Sequence, residues 1–296
     1  WRHARRAIDR AASSSRLCAN RSQRPENSGA SSLRENAMSA NVQPLKSAHT
    51  ADAVEAAIRV DLAACYRLVA LHGWDDLVFT HISARIPGPE HHFLINPYGM
   101  MFEEITASSL VKIDMQGNPV GPTAYPVNPA GFTIHSAVHE VREDAGCVMH
   151  LHTPDGTAVS SSKEKLLPLN QTAQLVVPDL AFHDYEGVAL DHDERPRLQK
   201  DLGTKNMMLL HNHGTLTVGE TCAAAFLRMY YLERACTMQV RTRMLGGLDQ
   251  DYPVDQGVID KNAKLVAGDG FSKLAQHLVW PAMLRKLDRV DPSFRN

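Results

Sequence analysis

The stretch Ala145-Gly146-Cys147-Val148-Met149-His150-Leu151-His152-Thr153-Pro154 decides how this chain is read. An apolar run closes on two histidines, and a Thr-Pro pair follows at once. The run over 145–152 has the length and apolarity of a buried strand, while Thr153 as N-cap and Pro154 at the first helical position open a helix. Strand side chains alternate faces, so His150 and His152 point the same way and their imidazoles can converge on one ion. The stretch Met207-Met208-Leu209-Leu210-His211-Asn212-His213-Gly214 repeats the pattern, and 207–217 reads as a second strand with its own histidine pair. A lone histidine in an apolar strand is commonly a satisfied core residue. Two pairs at corresponding strand ends point instead to a site of three neutral imidazoles with one open coordination position.

Asn128-Pro129 gives another cap-and-Pro signal, opening a helix through about Arg142 that carries His135 and His139 one turn apart. On a helix this is a possible zinc pair, yet no Glu follows His135 as metalloprotease chemistry requires. A helix face packing polar tips against a sheet explains the pair equally well. Further upstream, Val54, Ile58, Leu62, Cys65 and Val69 recur at helical spacing up to Gly73, and 77–86, 93–96 and 110–115 read as strands. Downstream, Gln174 to Val177 reads as part of a strand, 195–202 as a short helix and Thr221 to about Leu245 as the longest helix. The paired methionines 100–101 and 207–208 read as core fillers. From Gly246 the chain reads as loop-rich, with one amphipathic stretch over 274–287 interrupted by Pro281. This order predicts one α/β domain over 50–245 and a C-terminal extension over 246–296.

Residues 1–45 stand apart, being rich in Arg and Ser and poor in acids and apolar period. They superficially suit a transit peptide, but the first methionine is Met38, and the segment reads better as disordered upstream sequence from a mis-called start. Over the whole chain 31 basic residues face 33 acidic ones, a net charge of -2, which leaves no basic field for nucleic acid. No apolar run approaches the roughly 18 residues needed to span a membrane. Five scattered cysteines without C-x-x-C spacing predict free thiols in a reducing compartment, the cytoplasm.

In their order, several blocks over about 52–245 make the chain resemble the class II aldolase/adducin family. They are Phe79-Thr80-His81-Ile82-Ser83, Ile95-Asn96-Pro97-Tyr98-Gly99, Leu110-Val111-Lys112-Ile113-Asp114, His135, His150-Leu151-His152 and Leu210-His211-Asn212-His213-Gly214. The resemblance implies a three-layer α/β/α fold around a mainly antiparallel sheet. It implies a divalent metal, zinc foremost with manganese or cobalt as alternatives, bound by His150, His152 and His213, with His211 a neighbour. It also implies a homo-oligomer, a tetramer with active sites at subunit borders.

The departures narrow the chemistry. Where aldolases of the family open the helix with Ser-Ser-Glu, this chain has Pro129, Ala130 and Gly131, and their Gly-Asn-x-Ser reads Thr80-His81-Ile82-Ser83. The family's acid/base carboxylate and most of its phosphate donors are therefore missing. His81, His135 and Tyr98 remain as candidate acid/base groups, and Ser83, Gly99 and Gly131 as substrate-side positions. A metal that polarises a carbonyl stabilises an enolate however it arises, and decarboxylation needs only an electron sink and reprotonation. The expected function is thus a metal-dependent lyase, decarboxylase or isomerase acting through a metal-stabilised enolate on a small oxygenated carbonyl or carboxylate substrate. The alternative is an adducin-like non-catalytic binding module of cytoskeletal type.

Overall fold

A computed structural model describes residues 45–187 and 192–296; the expected disordered segment 1–45 lies, but for Leu45, outside the described residues. In chain order the elements are α1 (Leu45–His72), β1 (His81–Arg85), β2 (Phe93–Ile95), β3 (Val111–Ile113), α2 (Pro129–Val141), β4 (Cys147–Leu151), α3 (Pro154–Ser160) and α4 (Gln171–Val176). They continue as β5 (Leu180–His183), α5 (Arg195–Leu202), β6 (Met207–Leu210), β7 (Gly214–Gly219), α6 (Cys222–Leu245), α7 (Gln256–Val266), α8 (Gly270–Leu274) and α9 (Trp280–Val290).

The strands form one seven-stranded sheet in the order β3-β2-β1-β4-β7-β6-β5. Every pairing is antiparallel except β5 with β6. Alternation along β4 sorts the molecule into layers. Cys147, Met149 and Leu151 join a core with Leu62 and Tyr66 of α1 and Phe226 and Met229 of α6. Val148 points the other way, among Ile134 and Val138 of α2 and Leu198 and Leu202 of α5. One apolar set on each side of the sheet makes the three-layer α/β/α arrangement, and each fully buried Leu or Phe contributes about 1.5–3 kcal/mol to holding it. The same alternation sends His81 and Ser83 of β1 and His150 of β4 toward α2, with His81 directly opposite His150 in the register. Polar side chains thus gather in one layer.

The structure corrects four local expectations. Gln174 to Val177 is not a strand: Asn170 accepts a hydrogen bond from the Ala173 N–H and caps α4, so the strand starts only at Leu180. The single strand over 207–217 is a hairpin, β6 and β7, whose turn holds His211, Asn212 and His213. The strand over 77–86 shrinks to β1 because Leu77 and Thr80 take positive φ, 52° and 63°, which no strand accommodates. The loop-rich tail contains α7, capped by Asp255, and Pro281 does not interrupt its helix. A proline ring collides with the carbonyl four residues earlier, and one π-helical turn at Ala275–Val279 absorbs that conflict, so α8 runs through into α9.

The 246–296 segment seats Trp280, Leu287 and Phe294 in the core formed by α1 and α6. It thereby covers α6, whose apolar residues extend beyond one stripe. Among the described residues, no helix is long and apolar enough to cross a membrane.

Candidate metal centre

Three imidazoles converge where β4 ends. His150 is the penultimate residue of β4 and His152 follows the strand, so both aim at the α2 side. The His150 Nδ1 lies 3.0 Å from the Thr215 carbonyl oxygen, and the His152 Nδ1 lies 3.0 Å from Asp76 Oδ2. Both partners accept hydrogen bonds, so each Nδ1 carries the hydrogen and each Nε2 carries a lone pair. Those two Nε2 atoms face each other at 3.1 Å. Two lone pairs at that distance repel unless a cation lies between them, so the donor set fits a metal ion.

His213 supplies the third imidazole from the β6–β7 turn, its ring 4.7 Å from His150 and 4.9 Å from His152. One ligand atom from each of the three lies within 4.8 Å of the others. Asn212 turns the chain with φ 56°, and Gly214 lets β7 start tight against β4. A Cβ at Gly214 would sit 2.4 Å from the Leu151 carbonyl oxygen, so no other residue fits there. Burial, with the neighbouring His152 and His183 adding to it, pushes the His213 imidazole down to about 4, and burial pushes His150 well below its ordinary range. Both rings are therefore neutral at pH 7, as ligands must be. His211 turns away, with its Nδ1 2.9 Å from the Ser160 carbonyl oxygen and its ring stacked on Phe182.

The histidines open into a cleft of 390 Å³ whose walls include His81, Tyr98, Phe79 and Tyr185. His81 is buried at the back of this cleft, its ring 4.2 Å from that of His135, and neither of its nitrogens has a hydrogen-bond partner. His135 and Ser83 stand behind it. The Ser83 Oγ lies 2.6 Å from His135 Nδ1 and 2.8 Å from His139 Nε2, so Ser83 meets the cleft through histidines rather than directly. Gly99 adopts φ 103° in the turn after Tyr98. Gly131 falls in the first turn of α2, and the side chains around it lie outside the described residues.

Two carboxylates that the sequence analysis missed support the centre. Asp76 orients His152, as the outer partner of a metal-bound histidine does. Glu233 of α6 is buried and accepts from the Thr153 hydroxyl at 2.5 Å and the Thr215 hydroxyl at 2.9 Å, tying together the two segments that carry the three histidines. Gly156 leaves room for it, since a Cβ there would lie 2.8 Å from Glu233 Oε1. Nothing local marks Asp76, but Glu233 was visible as an acid on the buried stripe of α6, between Met229 and Cys236. Burial pushes the Glu233 carboxyl from 4.5 up to about 7. Below pH 4.5 it is neutral in folded and unfolded chains alike; between 4.5 and 7 only the unfolded chain ionises, so stability falls as pH rises. Glu233→Gln should therefore change stability little near pH 4.5 and raise it by on the order of 1–3 kcal/mol at pH 8. Urea denaturation of the metal-free protein at both pH values measures this, and equal effects at both would refute it.

The family model described as "Class II Aldolase and Adducin N-terminal domain" matches residues 60–240. A relative in Caulobacter vibrioides, whose name groups it with aldolase class 2 proteins, is 59% identical over 236 residues, spanning 80% of this chain and 91% of its own. Mouse alpha-adducin is 42% identical over 250 residues, covering 81% of this chain but 34% of the adducin. Among solved structures, an aldolase II superfamily protein from Pseudomonas syringae superposes with TM-score 0.76 at 44% identity, covering 82% of this chain and 96% of the other. L-fuculose 1-phosphate aldolase from Glaciozyma antarctica superposes with TM-score 0.73 at 27% identity, covering 83% and 94%. With its fold, its histidine centre and these relatives in agreement, the chain belongs to the class II aldolase and adducin family.

Proposed function

We propose that the protein is a divalent-metal-dependent lyase or isomerase acting on a small oxygenated substrate that carries a carbonyl or carboxylate. The observation that carries this reading is the pair of Nε2 lone pairs held 3.1 Å apart beside a third neutral imidazole. We assign the ion as zinc, with manganese or cobalt also suited to an imidazole set. A divalent ion held by His150, His152 and His213 would supply Lewis-acid polarisation of a carbonyl oxygen and so favour enolate chemistry beside it. The chain's own residues do the rest. Thr215 and Asp76 lock the ligand rings, Phe79 and Tyr185 wall the cleft, and we assign proton transfer to His81 and Tyr98 among the residues that line it. His135, packed against the His81 ring, is the remaining acid/base candidate, while Ser83, Gly99 and Gly131 are the substrate-side positions that the family resemblance supplies.

The second reading, an adducin-like binding module, is favoured by one observation. Identity to mouse alpha-adducin is 42%, against 27% to the L-fuculose 1-phosphate aldolase. Elemental analysis of protein purified without chelator separates the two. About one zinc, manganese or cobalt per chain is expected; a protein that carries none and refuses added zinc would leave the binding module. We further assign the protein to the cytoplasm, consistent with four buried free cysteines among the described residues. We also assign it to a homo-oligomer, with a tetramer as the expected form. Since the C-terminal segment already covers α6, the support lies in the exposed Met244, Leu245, Leu248 and Tyr252.

A further inference from the structure

The cleft into which the three histidines open carries two aromatic rings that solvent reaches. Phe79 is 44% exposed and Tyr185 50% exposed, and Ile134 of α2 lines the cleft with them. Both rings are held in place. The Phe79 N–H bonds the Asp76 carbonyl at 2.8 Å, closing a turn in which Leu77 takes φ 52°, and Thr80 follows at φ 63°. Residues with a Cβ enter that region only at a cost, and here the strained turn keeps an apolar ring at the cleft instead of in the core. The same turn supplies Asp76 to His152. Tyr185 lies between two anchored neighbours. His183 Nδ1 is 2.8 Å from Asp201 Oδ2, and Arg197 Nε donates to Glu186 at 2.6 Å. The Tyr185 ring stands edge-on to that of His213, 6.1 Å away.

Rings exposed in a concave site leave water when a ligand enters, which favours apolar matter against them. Charge points the same way. Among the described residues that line the cleft there is no Lys or Arg, and its carboxylate, Asp76, is bonded to His152. A phosphate or a second carboxylate on the substrate would meet no counter-charge beyond the metal centre. Size agrees as well. The 390 Å³ cleft falls in the roughly 300–1,000 Å³ range of sites that enclose ligands far larger than a three-carbon acid. We propose that Phe79 and Tyr185 form a subsite for an uncharged apolar group of about phenyl size, so that the substrate is a keto or hydroxy acid bearing such a group. This rests on the metal-dependent reading above and names the substrate class within it. The acid end goes to the histidine centre, and the apolar end lies against the two rings.

Zinc-loaded protein, its zinc content read by elemental analysis, is titrated calorimetrically with phenylpyruvate, pyruvate and 2-oxoglutarate. The three share a keto-acid end and differ beyond it. Phenylpyruvate is expected to bind about tenfold tighter than pyruvate or more, and 2-oxoglutarate no tighter than pyruvate. Phe79→Ser and Tyr185→Ser are each expected to cut the phenylpyruvate preference by about threefold or more. Equal binding of phenylpyruvate and pyruvate, binding of neither, or tighter binding of 2-oxoglutarate overturns the subsite and leaves the metal centre standing. A preference that survives both substitutions overturns it too; if those variants also lose mass in light scattering, the rings cover a second copy of the chain instead. Absence of zinc uptake removes the metal-dependent reading and the subsite together.

Discussion

Replacing His213 with alanine should weaken zinc binding by on the order of 10³-fold or more, and His150→Ala should do the same. Losing an outer partner of a ligand typically costs about 10–100-fold, and losing one of three ligands costs more, because two imidazoles rarely hold a catalytic ion against water. His211→Ala, two residues away on the same turn, should change affinity by less than about tenfold. Its Nδ1 faces the Ser160 carbonyl and its ring lies on Phe182, away from the centre. Competition against a chromogenic chelator measures all three variants. A His211 effect equal to that of His213 would mean that the wrong histidine of the pair has been assigned.

The second large effect concerns substrate. Given Gly131 at the position where family aldolases are expected to carry their acid/base glutamate, three neutral ligands leave the ion its full charge. A carbonyl bound to such an ion would be polarised more strongly, and a substrate carboxylate would supply the missing negative charge itself. Turnover of unphosphorylated hydroxy or keto acids should exceed that of phosphorylated ketoses by about a hundredfold or more in kcat/KM, with metal present. Assays of both classes with the unaltered protein and with Gly131→Glu decide the matter. Robust cleavage of a ketose phosphate, unaffected by Gly131→Glu, would show that His81, His135 or Tyr98 supplies the base and that other donors hold the phosphate. Silence across both classes would favour the binding module.

The parts of the site visible in the sequence are those that follow from short spacings. Two histidines in an i, i+2 relation at the end of an apolar run had to share a face, and His150 and His152 do. The same rule applied to His211 and His213 predicted a strand and met a turn. Asn212 at positive φ divides that pair, so one histidine enters the centre and the other leaves it. The ligand choice there came from family resemblance, not from periodicity. Gln174 to Val177 shows the limit of apolar content as a guide, because a cap three residues before Ala173 settled the backbone in favour of helix. The roles of Asp76 and Glu233 were out of reach for a different reason, although Glu233 itself was visible as an acid on a buried stripe. Their partners, His152, Thr153 and Thr215, are distant in the chain, and only the sheet register brings them together. The His135–His139 pair, left open between metal binding and packing, does neither alone: both rings bond one serine across the layer.

The three histidine rings project from the end of a sheet whose apolar clusters close without them. Zinc fingers differ in this respect, since they unfold when stripped because the ion is their core. An ion held here would be a guest of a finished scaffold. Dialysis against a chelator should empty the protein and leave its shape intact, and refilling should need no refolding. In the cell, occupancy would then follow the supply of free metal rather than the history of folding. The same polypeptide would then be free to exchange its ion within its own lifetime.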